Sequence, residues 1–270
     1  MKIGVFDSGL GGLSILKAVI KKLPEYDYVY LGDTKNLPYG DKTQTEIFNF
    51  TKKAVNYLFQ HDCALVLVMC NTASAKALRK LQQEWLPKHY PERRVLGPII
   101  PTVEAVCSRT VLEHDGTVGV LATRSTVESK VYVKEFEKIN PKIKVYQKSA
   151  PKLVPLIEAG KIRLAEMELD KYLKPLLESG IDTLILSGST HYTILKSYVK
   201  KKYDRKIRII SQDDIIPSSL SKYLKNHKNL EVMIDKNRRL DFFVTRKSSE
   251  VDASIQSGIN GKYKANVIKI

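Results

Sequence analysis

Short apolar runs, several rich in Val, Ile and Leu, recur along the chain at 3–6, 28–31, 64–69, 118–122, 143–147, 183–186 and 207–210. Between them lie longer stretches with apolar residues three or four apart, at 13–22, 44–60, 74–85, 125–139, 162–178 and 215–224. A short continuous apolar run suits a strand buried on both faces, whereas the wider spacing puts apolar side chains on one face of a helix. Strands alternating with helices predict an α/β fold whose parallel sheets carry helices on both faces. In such folds ligands collect beyond the carboxyl ends of the strands, where small and polar residues come after the apolar run.

The strand ends marked in this way are Asp7-Ser8-Gly9, Gly32-Asp33-Thr34, Cys70-Asn71-Thr72, Thr123 and Ser187-Gly188-Ser189-Thr190-His191. Two of them match in form. "LVLVMCNTASA" (65–75) and "LILSGSTHYTIL" (184–195) each run from an apolar strand through Cys70 or Ser189 and a polar pair into a helix. The repetition predicts two similar lobes facing each other across a cleft. The glycines of "DSGLGG" (7–12) suit a tight strand-to-helix turn whose backbone N–H groups can hold an anion.

Composition narrows the class. A chain of 270 residues, 43% hydrophobic and 27% charged, is an ordinary globular sequence with room for one large domain or two lobes. Its apolar runs stay far below the roughly 18 residues of a membrane span. Asp7 interrupts the N-terminus too early for a signal peptide, so a cytoplasmic location is expected. Cys63, Cys70 and Cys107 are odd in number and lack metal-ligand spacing, which predicts neither a disulfide framework nor a metal site. Neither a G-x-G-x-x-G nor a Walker-type loop occurs, and no cofactor is expected. The net charge of +16 invites nucleic acid or an anionic surface. Only Lys200, Lys201, Lys202, Arg205, Lys206 and Arg208 cluster, however, and a solvated basic face that draws in an anionic substrate accounts for them. His61, His89, His114 and His227 stand in charged surroundings and read as surface residues.

The strand ends suggest a chemistry. A carboxylate substrate held by hydroxyl, amide and backbone donors at Ser8, Asn71, Thr72 and Thr190 would leave its α-carbon open to a reactive group on each side. Proton removal on one face and return on the other is racemisation. A thiol suits this work because its reference pKa, about 8.5, lies near neutrality. Asp7 and His191 are placed to orient or deprotonate such groups, although Asp7 also reads as a cap for the next helix.

"FDSGLGG" (6–12), "GDTKNLPYG" (32–40), "CNTASA" (70–75), "PTVEA" (101–105), "VPLIEAG" (154–160) and "STHY" (189–192) resemble, in order and spacing, the motifs of bacterial glutamate racemase in the aspartate/glutamate racemase superfamily. The resemblance runs from residue 3 to about 220 and fits the last fifty residues loosely. It implies a racemase without cofactor or metal that interconverts L- and D-glutamate for peptidoglycan. It also implies two α/β lobes related by a pseudo-twofold, 1–96 with 209–270 and 97–208, with the site between them. Cys70 then looks like the thiol that takes the proton of the D-isomer, with Asp7 beside it. His191 and Glu158 look like assistants of the opposite base, although Glu158 reads equally well as a solvated helix residue. Ser8, Pro38, Tyr39, Gly40, Asn71, Thr72 and Thr190 are similar to the family's substrate-binding set. The family's partners include a second copy of the chain in many homodimers, and for some members nucleic acid or a DNA-processing enzyme. Its precursor-activated members carry an N-terminal extension, so activation of that kind is not expected here.

The family's second cysteine falls on Ser189. A serine hydroxyl titrating near bulk water's 15.7, in place of a thiol's 8.5, raises the cost of forming the base by up to about 10 kcal/mol. Three accounts of Ser189 stand: an introduced Cys-to-Ser change, a slow natural variant in which His191 or a water supplies the base, or a relative that does not racemise. Binding relatives and one-thiol decarboxylases are the rival classes, and aspartate is the rival substrate. Two further departures are Thr193, where the family usually has Pro, and Ser211-Gln212-Asp213, which replaces a small and acidic tract.

Overall fold

The computed structural model describes residues 1–110, 116–259 and 263–270; His114 lies outside them. Ten strands among these residues form two sheets, and every pairing is parallel. The first sheet has the order β10-β9-β2-β1-β3-β4, built from β1 (Lys2–Asp7), β2 (Tyr28–Gly32), β3 (Cys63–Val68), β4 (Arg94–Leu96), β9 (Leu240–Val244) and β10 (Asn266–Val267). The second has the order β6-β5-β7-β8, from β5 (Thr117–Ala122), β6 (Lys144–Ser149), β7 (Thr183–Gly188) and β8 (Arg208–Ile210).

One order is common to both sheets. The first four strands lie second-first-third-fourth, and so do the next four. Cys70 comes after the third strand of one set and Ser189 after the third strand of the other, so the two residues occupy equivalent places. β8 crosses the expected 208/209 lobe limit, pairing Arg208, Ile209 and Ile210 with Thr183, Leu184 and Ile185. The chain returns to the first lobe just beyond it, where helix Gln212–Asn226 packs Ile216, Leu220 and Leu224 with Leu13, Ile15, Leu16 and Val19 of helix Leu13–Lys22. Each such buried aliphatic side chain contributes roughly 1.5–3 kcal/mol, which seats the helix firmly.

The predicted helices at 13–22, 44–60 and 162–178 form over those spans. The second starts at a capping box, Thr43 accepting from the Glu46 amide while Glu46 accepts from the Thr43 amide. Elsewhere backbone detail changes the picture. The stretch 125–139 is two helices, Arg124–Ser129 and Val131–Ile139, because Lys130 between them adopts a left-handed φ of 54°. The stretch 74–85 belongs to a longer helical run, 71–89, that begins at Cys70 and carries π-type turns at Ser74–Leu78 and Leu81–Trp85. The short β4 at one edge and the strands β9 and β10 toward the other lie outside the apolar runs read from sequence. No helix among the described residues is long and apolar enough to cross a membrane.

A register shift between β5 and β7 precedes Ser189: Val120 pairs with Ile185, whereas Ala122 pairs with Gly188. A Cβ at Gly188 would overlap the Leu121 carbonyl oxygen and the Ala122 side chain, both fixed in the neighbouring strand. Gly188→Ala is expected to destabilise the protein by about 1–3 kcal/mol through overpacking, measured by urea unfolding. An unchanged midpoint would show that the strands separate at no cost.

Candidate active site

The carboxyl ends of both sheets meet around a cavity of about 60 Å³. The first lobe lines it with Ser8, Pro38, Tyr39, Gly40, Cys70, Asn71 and Thr72, and the second with Thr123, Arg124, Ser189, Thr190 and His191. Asp7 is buried and off the lining, and Glu158 reaches the site only through His191. Cys63 and Cys107 are buried elsewhere, and His61, His89 and His227 are exposed.

Cys70 is 5% exposed. Burial first, and then the nearby Asp7 carboxylate, push its thiol up to about 11, against hydrogen bonds from Ser8 and the Ala73 amide. Cys70 is therefore held as a protonated thiol near neutral pH in the ligand-free protein. Burial also lifts Asp7 above the ordinary carboxylate range, opposed by His191, the Gly9 and Gly12 amides and the Thr190 hydroxyl. The glycine turn thus directs amides at Asp7 itself: Gly9 N–H donates to Asp7 Oδ2 at 3.1 Å.

Ser189 is equally enclosed, and its hydroxyl lies 3.5 Å from His191 Nδ1. The other ring nitrogen, Nε2, is 3.1 Å from Glu158 Oε1. A carboxylate on Nε2 keeps the proton there and leaves Nδ1 as the acceptor that faces Ser189. The serine, imidazole and carboxylate form a relay from the cavity outward.

The loop bearing Pro38, Tyr39 and Gly40 is pinned from both lobes. Asp33 accepts from Tyr39 Oη at 2.7 Å, from Asn36 at 2.9 and 3.0 Å, and from Thr245 Oγ1 at 2.6 Å. Ser125 Oγ donates to the Gly40 carbonyl at 2.8 Å across the cleft. Other contacts also bridge the lobes. The Thr72 and Thr123 hydroxyls share a hydrogen bond of 2.9 Å, and Thr190 Oγ1 donates to Asp7 at 3.3 Å. Thr193 uses its hydroxyl to meet Ser14 Oγ at 2.9 Å, which a proline there would forgo. Gly11 packs so closely on Thr190 and His191 that a Cβ would stand 2.5 Å from Thr190 Oγ1.

Several groups in the site have no legible role in the sequence. Thr123 reads there only as a strand end, and Arg124 behind it supplies a cation to the lining. Ala150, Pro151, Val154 and Pro155 form an apolar wall after β6. Gln212 and Tyr132 lie behind Asn71 and are drawn there by tertiary contacts alone. Among the described residues no group of three or more His, Cys, Asp or Glu is placed to hold a metal ion.

Two parallel sheets that aim equivalent strand ends at one cavity define a two-lobed α/β protein with its site between the lobes. No protein-family model matches the chain. It is 33% identical over 273 residues to a glutamate racemase of Sulfurihydrogenibium sp., covering 100% of this chain and 98% of the relative. It is also similar to the crystal structure of a glutamate racemase from Bacillus anthracis, with a TM-score of 0.87 at 29% identity, covering 100% and 97% of the two chains. The glutamate racemase of Francisella tularensis in complex with D-glutamate matches with a TM-score of 0.86 at 30% identity, over 99% and 97%. The chain belongs to the glutamate racemase family.

Proposed function

We propose that the protein interconverts L- and D-glutamate through two acid–base groups on opposite faces of the α-carbon, as a cytoplasmic enzyme supplying D-glutamate for peptidoglycan. The observation that carries this reading is the placement of Cys70 and Ser189 at equivalent strand ends of one cavity, each backed by its own proton-handling group. From L-glutamate, the α-proton passes through the Ser189 hydroxyl to His191 Nδ1, and the electron pair of the broken C–H bond moves into the α-carboxylate. Cys70 then delivers its thiol proton to the other face, leaving a thiolate, and proton exchange with solvent restores both groups. D-glutamate takes the reverse course. Donors at Ser8, Asn71, Thr72 and Thr190 would hold the carboxylates, and the Pro38-Tyr39-Gly40 loop would close over them. His191, with the Glu158 carboxylate on its Nε2, supplies the base that the Ser189 hydroxyl lacks.

The lobes of this proposal are 1–96 with 211–270, and 97–210. The basic surface supports attraction of a dicarboxylate; homodimer formation and contact with nucleic acid or a DNA-processing enzyme are secondary parts of the reading. DNA binding that falls steeply with salt would support the latter. The central test is deuterium exchange at the α-carbon of each glutamate isomer in deuterated water. Exchange with both isomers, and inversion of each, is the expected result; a protein that binds glutamate but exchanges neither isomer is a binding relative instead.

A further inference from the structure

Asn71 lines the cavity next to Cys70, yet its side-chain amide is gripped from behind by two residues that do not line it. Asn71 Nδ2 donates to Gln212 Oε1 at 2.8 Å, and Gln212 Nε2 donates back to Asn71 Oδ1 at 3.0 Å, so the two amides form a closed pair. Tyr132 Oη donates to the same Asn71 Oδ1 at 3.0 Å, and Gln212 Nε2 stands 3.3 Å from that hydroxyl. All three residues are buried, Asn71 at 1% exposure and the other two at 0%. Burial also pushes the Tyr132 phenol well above its ordinary range, keeping the hydroxyl proton in place to be donated.

An amide oxygen has two lone pairs and an amide nitrogen two hydrogens. Here both lone pairs of Asn71 Oδ1 are engaged, while one Nδ2 hydrogen remains for a ligand beside the cavity. The amide can therefore offer a ligand a donor and no acceptor. That selects a carboxylate oxygen over an ammonium group at this point of the site.

The grip also has a place in the fold. Tyr132 stands in the first turn of helix Val131–Ile139, packed in the second lobe with Val118, Val120 and Phe136. Gln212 is the first residue of the helix that leaves β8 for the first lobe. Asn71 belongs to the first lobe and is thus oriented by the second lobe and by the chain crossing between them.

Resting on the racemase reading, we propose that Gln212 and Tyr132 are positioning residues that lock the Asn71 amide as a hydrogen-bond donor to a carboxylate of glutamate.

The experiment compares the full-length protein with Gln212→Met, which keeps side-chain length and packing, Tyr132→Phe and Asn71→Asp. Glutamate affinity is measured by calorimetry, KM and kcat by circular dichroism, and folding by thermal melting. Gln212→Met and Tyr132→Phe are each expected to weaken glutamate binding and raise KM by about five- to tenfold, the loss of one or two buried hydrogen bonds, with kcat changed far less. Asn71→Asp, which presents an acceptor and a negative charge, is expected to bind more weakly than either. A Gln212→Met protein that melts earlier but binds as tightly as the parent shows a structural role only and overturns the proposal. So does an Asn71→Asp protein that retains parental affinity, because the amide would then be meeting the ammonium group. A parent chain that binds no glutamate overturns the racemase reading first, and the proposal with it.

Discussion

Ser189→Cys is expected to raise racemisation of both glutamate isomers by roughly 10²–10⁴-fold, the range that a well-matched general base supplies. The expectation rests on proton affinity and on space. A thiolate costs far less to form near neutrality than an alkoxide, by up to about 10 kcal/mol on reference values. The relay through His191 Nδ1 recovers part of that difference, but it places the imidazole one atom farther from the α-carbon than a direct base. The substitution is nearly isosteric, and the extended backbone of Ser189, φ −147° and ψ 139°, suits either side chain. Thermal stability and glutamate affinity should stay close to parental values. The two isomers have equal free energy in water, so kcat/KM must rise by one factor in both directions. Circular dichroism at a fixed wavelength tracks each direction separately. Unchanged rates would mean that position 189 does not face the α-carbon, and the two-face assignment would fall.

Cys70→Ala carries the second large effect. Without the thiol no group remains to serve the Cys70 face, and inversion of either isomer is expected to fall by at least about 10²–10⁴-fold, the contribution of one positioned acid or base. Exchange should not vanish evenly. D-glutamate presents its α-proton to the missing thiol and loses exchange, whereas L-glutamate still faces Ser189 and His191 and continues to wash in deuterium without inverting. Equal loss for both isomers would place Cys70 on the wrong face or give it a structural role. The parent thiol has a pH signature of its own. Because burial and Asp7 hold it up to about 11, the thiolate fraction in the ligand-free protein grows about tenfold per pH unit below that value. Alkylation of Cys70 by iodoacetamide should show the same slope, and a plateau near pH 8 would contradict it. The sign for stability is the same as for any acid whose folded pKa is raised. The folded state keeps the proton longer than the unfolded chain, so Cys70 contributes stability that is full below about 9 and drains away as pH rises toward 11.

The apolar periodicity was enough to place seven strands and the longest helices, because burial of a strand on both faces or of one helix face leaves a regular mark at short range, while helices such as Ile99–Thr110 and Ser249–Ile259 went unmarked. The marks fail where the cause is not local. Lys130 breaks a helix by adopting a left-handed backbone that no residue pattern announced. β4 is three residues long and is held by Leu65, Val66 and Leu67, not by its own pattern. β9 pairs beside β2 across more than two hundred residues, and its strand character depends on that edge being open.

The site divides along the same line. Asp7, Ser8, Cys70, Asn71, Thr72, Ser189, Thr190 and His191 could be named from sequence because each stands at or just past the end of an apolar run, and parallel strands bring their carboxyl ends to one edge of the sheet. The chain by itself also determined that position 189 carries a hydroxyl, since that is residue identity. Tertiary structure alone decided that Cys70 is held as a thiol, since the causes are burial and the Asp7 carboxylate from another strand. It decided that Glu158 meets His191 Nε2 and lies off the cavity lining, and that Gln212 and Tyr132 hydrogen-bond the Asn71 amide. Hydrogen-bond partners and desolvation are properties of neighbours brought together by folding, at separations of 141 residues for Asn71 and Gln212, and no spacing along the chain encodes them.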